Sequence, residues 1–120
     1  MFNGALILES LRVGTNLSNL NLKVRQIYRF RPEDATEDQP DTWSVIELEI
    51  RDEDAADVAQ AFSEALAGRW YVDFRSETEV FIVFAGRVFR YARGDNAGRT
   101  EAQAHGRLVG VPDSQLDWPA

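Results

Sequence analysis

Cysteine is absent from the chain, which excludes disulfides, thiolate catalysis and cysteine-ligated zinc and fits a reducing compartment. No apolar run approaches membrane-spanning length, and Met1-Phe2-Asn3-Gly4 lacks the basic region of a secretory signal, so a cytoplasmic location is expected. Bases are scarce, 13 against 20 acids. The resulting net charge of −7 repels phosphate polymers, so a nucleic-acid partner would need a concentrated basic patch. Internal repeats and composition breaks are also missing. What remains is an ordered, aromatic-containing chain of 120 residues, the size of one domain spanning residues 1–120 and able to bury its own core.

Ala5 to Val13 is ambiguous. Its β-branched residues and the following Gly14 favour a strand, which could pair in the sheet or fold back over an outer face. Thr15 to Asn21 reads as a polar linker with three asparagines. From Leu22 to Phe30 the apolar residues alternate with Lys23, Arg25, Arg29 and Arg31, the period of a half-buried strand. After an acidic loop (Pro32 to Asp41), Thr42 to Arg51 alternates in the same way. An antiparallel return sets Lys23 opposite Glu49, Arg25 opposite Glu47, and Val24 beside Leu48, so charge and core pairing select the same register. The acids at Asp52-Glu53-Asp54 open a helix, with Asp52 as its cap. Its apolar stripe runs through Ala55, Val58, Ala59, Phe62, Ala65 and Leu66, and Gly68 is its expected stop.

Three aromatic-rich strands follow, Arg69–Arg75, Glu79–Phe84 and Arg87–Tyr91, joined by turns at Ser76-Glu77-Thr78 and Ala85-Gly86. Asp95 or Asn96 caps a second helix reaching about Val109, with Ala97, Ala104 and Leu108 as its apolar face and Gly110 and Pro112 beyond it. The expected class is α+β: a mainly antiparallel sheet of five or six strands with both helices on one face, ordered β-β-β-α-β-β-β-α. The expected core comprises Val24, Tyr28, Ile46, Leu48, Ile50, Val58, Phe62 and Leu66 with Trp70, Val72, Phe74, Val80, Ile82, Phe84 and Phe89.

The segments W-Y-V-D-F (Trp70 to Phe74), V-F-A-G-R-V-F-R-Y (Val83 to Tyr91), R-G-D (Arg93 to Asp95) and the ending Gly106 to Trp118 make the chain similar to a group of small uncharacterised bacterial proteins of actinobacterial type. The likeness extends more loosely through Glu9 to Gly14. Where that pattern carries Tyr, this chain has His105. The resemblance implies no activity and transfers no functional residue.

Symmetric pairing about Glu77 places Tyr71, Asp73, Phe81, Val83, Val88 and Arg90 on one face, opposite the helices. An exposed apolar patch of that size calls for a cover. The leading expectation is therefore a non-enzymatic protein-interaction domain that forms a homodimer, or meets another protein, through this face. The alternative is a small enzyme or small-molecule binder with a pocket over Tyr71, Asp73 and Arg90. Asp73 is unusual in mid-strand, and an Asp73–Arg90 ion pair is its plain structural explanation. A third reading is an RNA-binding module using Lys23, Arg25, Arg29 and Arg31 beside Trp43 and Tyr71. The net charge and the lack of an RNP-type motif weigh against it. His105, the only histidine, has no nucleophile or ligand constellation around it, so no catalytic residue, cofactor or metal is expected. The acidic loop lacks EF-hand spacing, and Arg93-Gly94-Asp95 reads as a turn.

Overall fold

The ambiguous N-terminal segment forms a strand, and it lies in the middle of the sheet. The computed structural model describes residues 1–118. Its strands are β1 (Phe2–Ile7), β2 (Lys23–Phe30), β3 (Trp43–Ile50), β4 (Tyr71–Arg75), β5 (Glu79–Phe84) and β6 (Arg87–Ala92). Helix α1 (Ala55–Ala65) follows β3, and α2 (Asn96–Leu108) follows β6. All six strands pair antiparallel in the order β2-β3-β1-β4-β5-β6. The α+β class, strand number and element order agree with the sequence expectation.

β1 starts earlier than Ala5 and stops at Ile7. Leu8–Ser10 makes a 3-10 turn, where the Glu9 carboxylate accepts from the Ser44 backbone N–H (2.6 Å) and hydroxyl (2.8 Å). Leu11 then makes a single bridge to Leu66. This bridge draws the chain after α1 into extended backbone at Leu66, so the helix ends before Gly68. Asp52 makes no side-chain cap and instead pairs with the amino group of Met1.

Both helices on one face is the expectation the structure overturns. Phe2, Leu6, Leu48, Ile50, Phe74 and Phe81 form the front core with Val58 and Phe62 of α1. Val80, Ile82, Phe84, Phe89 and Tyr91 form a separate back core with Ala102 of α2 and with Val111, Leu116 and Trp118. The cause is one residue in the first hairpin. Ser76 N–H bonds to the Glu79 carbonyl at 2.9 Å, leaving a two-residue turn, so Tyr71 pairs Phe84 and Asp73 pairs Ile82. A one-residue slip sends every side chain of a strand to the other face. The second hairpin has the expected register, with Phe81 opposite Arg90.

β2 shows a related correction. Lys23 does pair Glu49 and Val24 does pair Leu48, but a bulge between Val24 and Gln26 ejects Arg25 from the ladder. Arg25 therefore bonds Glu49 at 3.1 Å rather than Glu47. Past the bulge the alternation reverses: Ile27 joins Ile46 on the front, while Tyr28 and Phe30 join Val45 and Trp43 on the back. No described residue covers this edge strand, so Val24 and Tyr28 are exposed rather than core residues. On α2, Ala104 and Leu108 face outward. The packed face is instead Gly98, Ala102 and Gly106, small residues that let the helix sit close to Tyr91 and Leu116. Asp95 caps it, accepting from Gly98 N–H at 3.0 Å.

The seam between β1 and β4 leaves no room for a side chain at Gly4. A Cβ at Gly4 would lie 2.4 Å from the Asp73 carbonyl and 2.5 Å from Phe74 Cβ. Gly4→Val should therefore destabilise by about 1–3 kcal/mol or prevent folding, as overpacking does, read from urea midpoints. A double-mutant cycle should find coupling of about 0.2–1 kcal/mol between Arg25 and Glu49 and none between Arg25 and Glu47.

Candidate functional site

The back face of the sheet is only half covered. α2 and the segment after it lie over β5 and β6, whereas over β1 and β3 the sheet floors an open groove of about 280 Å³. Ala5, Ile7 and Val45 form its floor. Aromatic side chains Tyr28, Phe30 and Trp43 bound one side and Trp70 and Tyr71 the other. Trp43 and Trp70 meet edge to face at 5.1 Å, and Trp43 is held by its indole N–H on the Pro40 carbonyl at 2.9 Å. The polar rim carries Asp34, Asp73 and Asp117, with Arg69 engaged by Asp38 at 2.5 Å.

The wall opposite β2 is built by the chain's last described segment. Arg99, Gln103 and Arg107 stand at four-residue spacing on α2. They bond the Trp118 carbonyl (2.9 Å), the Leu116 carbonyl (3.0 Å) and the Asp113 carboxylate (3.0 Å). This row fixes residues 113–118 along the helix, with Trp118 packed on Tyr71 at 4.9 Å. Gln115 then reaches across the end of the groove. Its amide exchanges hydrogen bonds with that of Gln39 (3.1 and 2.9 Å) and donates to the Asp34 carbonyl at 3.0 Å, tying the acidic loop to this segment.

Tyr71 donates its hydroxyl to the Gln115 carbonyl. Burial, followed by the charges of Asp73 and Asp117, pushes its ionisation above the ordinary tyrosine range, so the hydroxyl is a fixed structural donor. Asp73 is half-buried in mid-strand. Desolvation raises its pKa above the usual carboxylate value, while the Arg75 guanidinium, 3.3 Å away, acts in the opposite direction. A carboxylate held in this way favours any cation that can reach it.

The structure separates the six residues expected on one face. Tyr71 and Asp73 line the groove. Phe81 and Val83 are 2% and 0% exposed in the front core beneath α1, and Val88 packs against the same cluster. Arg90 lies on that front side, bidentate to Glu79 at 2.6 and 2.8 Å and 4.9 Å from the Phe81 ring. The Asp73–Arg90 pair therefore does not exist. The surface expected to form a homodimer is already filled within one subunit. The Lys23–Arg31 stripe is split by the bulge and does not form one basic face.

Sequence reasoning missed Asp34, Trp43, Gln115 and Asp117 as groove residues, because each lies far along the chain from Asp73. The one available signal was the run of Gln115, Asp117 and Trp118 in the C-terminal motif. The other motif residues have structural roles: Gly86 and Gly94 adopt φ of 75° and 84° in turns, and Gly106 makes room for Leu116. No protein-family model, curated protein or solved structure matches the chain. No described helix is long and apolar enough to cross a membrane.

His105 is placed outside the groove, between the rings of Phe84 (4.8 Å) and Phe89 (5.4 Å), with its Nε2 unpartnered. Desolvation, then Arg87, lowers its pKa, so the folded state holds it neutral. The unfolded chain gains a proton as pH falls through the ordinary value of 6.5, and stability drops there. His105→Tyr should keep the fold and lessen this acid-side loss, measured as the unfolding midpoint against pH.

Proposed function

We propose that the protein is a non-catalytic binding domain whose groove takes a small organic cation: an ammonium or amidinium group on an apolar or aromatic stem. The observation that carries this reading is the pairing of an aromatic-walled, apolar-floored groove with three rim carboxylates, one of them desolvated. Apolar area favours the stem, and an aromatic ring near a cation contributes about 0.5–1 kcal/mol when exposed and about 2 when desolvated. A bare metal ion fits less well, since among the described residues no three His, Cys, Asp or Glu side chains are placed to hold one. The groove lining includes no serine, threonine or histidine among the described residues, and Tyr71 is committed to Gln115. This supports binding over chemistry.

The role assigned to Asp73 has a thermodynamic signature. A carboxyl whose folded pKa is raised destabilises the native state as pH rises above its unfolded value of 3.8. Asp73→Asn should therefore unfold no more easily than the parent at neutral pH while losing the ligand.

The test compares phenethylamine with its neutral and anionic counterparts, 2-phenylethanol and phenylacetate, by tryptophan fluorescence and calorimetry. The amine should bind at least about tenfold more tightly than either, and Asp73→Asn should remove that preference. Affinity should fall on acidification as Asp73 takes up its proton. Equal binding of all three probes, or amine binding unaffected by Asp73→Asn, would overturn the reading.

A further inference from the structure

We propose that the free edge of β2 is a docking site for an extended acidic segment of another protein, which adds to the sheet as a seventh strand. This edge adjoins the groove and shares Tyr28 and Phe30 with its wall, and the inference stands whether or not the groove binds a cation.

β2 is an edge strand of eight residues, every one of them exposed, and it pairs with β3 on one side only. The backbone N–H and C=O groups on its other side point to solvent, the template used in strand addition. The bulge interrupts the strand at Arg25, which leaves Gln26–Phe30 regular, enough for an incoming strand of about five residues. Apolar side chains lie on both of its faces. Ile27 is 66% exposed on the front, and Tyr28 and Phe30 are 37% and 41% exposed on the back. A strand laid along this edge would set alternate side chains against each group.

Charge selects the occupant. No acid occurs between Ser10 and Pro32, while Lys23, Arg25, Arg29 and Arg31 lie within nine residues of a chain whose net charge is −7. Arg25 is engaged by Glu49, and Arg29 donates to Ser44 at 3.1 Å. Lys23 and Arg31 make no ion pair among the described residues. The strand already bonded to the inner side of β2 shows what chemistry fits: β3 reads W-S-V-I-E-L-E-I, apolar residues interleaved with acids. A second copy of β2 fits poorly. Residues 23–31 hold four bases and no acid, so pairing two copies along this edge brings one basic segment against another. Like charges directly opposite are destabilising. The matching partner carries acids near Arg29 and Arg31 and apolar residues facing Ile27, Tyr28 and Phe30.

The test titrates the full chain, labelled with nitrogen-15, with the capped peptide E-V-E-V-V-T-E and its lysine counterpart K-V-K-V-V-T-K. Saturable amide shifts centred on residues 23–31 are expected with the acidic peptide only. The charge-reversal pair Lys23→Glu with Arg31→Glu touches no internal ion pair, and a thermal melt checks its fold. It should weaken the acidic peptide at least about tenfold and admit the lysine peptide. Failure of the acidic peptide to shift β2, equal shifts with the lysine peptide, or shifts unaffected by charge reversal, would overturn the proposal. Concentration-dependent shifts of β2 without peptide would assign the edge to a second copy instead. Tighter, salt-sensitive binding of a single-stranded RNA at the same amides would assign it to nucleic acid.

Discussion

The structure depends on one close backbone contact, β1 against β4 at Gly4. The β2–β3 pair and the β4–β5–β6 meander are each local in sequence, and β1 is the strand that joins them. It forms six residue pairs with β3 but only three with β4, so the join to the meander is narrow. Isolated hairpins are marginal in water, whereas a joined sheet with covered faces is not. Phe2 and Leu6 then bring the N-terminal residues into the front core, where Phe2 meets Phe74 and Phe81 edge to face at 5.9 and 5.2 Å.

A sheet of six strands is wider than one helix can cover. Five inter-strand spacings span roughly 24 Å, while a helix with its side chains is about 10–12 Å across. With one helix on each face, each leaves part of the sheet to other segments. On the front, Leu17, Leu20 and Leu22 extend the cover beside α1. On the back, residues 111–118 extend it beside α2 and stop at Tyr71. The uncovered remainder is the groove over β1 and β3, and the bare strand is β2. Both binding proposals thus arise from the same shortage of cover, at places where aromatic side chains meet charge.

Asp73 shows how far the candidate site could be read in advance. An acid between Val72 and Phe74 contradicts strand propensity, and that contradiction was visible in the sequence. Its neighbours around the groove were not, because Asp34, Trp43 and Gln115 come to that groove only through the strand order and the Gln39–Gln115 amide pair. Arg90 was assigned to Asp73 by a turn counted one residue too long. The Gly98, Ala102 and Gly106 spacing was equally present in the chain, but small residues identify a packed helix face only once a neighbour is known to approach it.

The sequence alone determined what near-neighbour physics controls: strands from alternation, α1 from its apolar stripe, a cap for α2 at Asp95 or Asn96, the Ala85-Gly86 turn, and therefore the α+β class. These depend on interactions within a few residues, where spacing and side-chain type suffice. Tertiary structure alone decided where β1 inserts, which face each strand presents and which helix covers it. Those outcomes depend on register, and register answers to the summed burial of residues far apart in sequence. A single bulge at Arg25, or one residue more or less in the turn after Ser76, reverses inside and outside for a whole strand while leaving its local pattern unchanged.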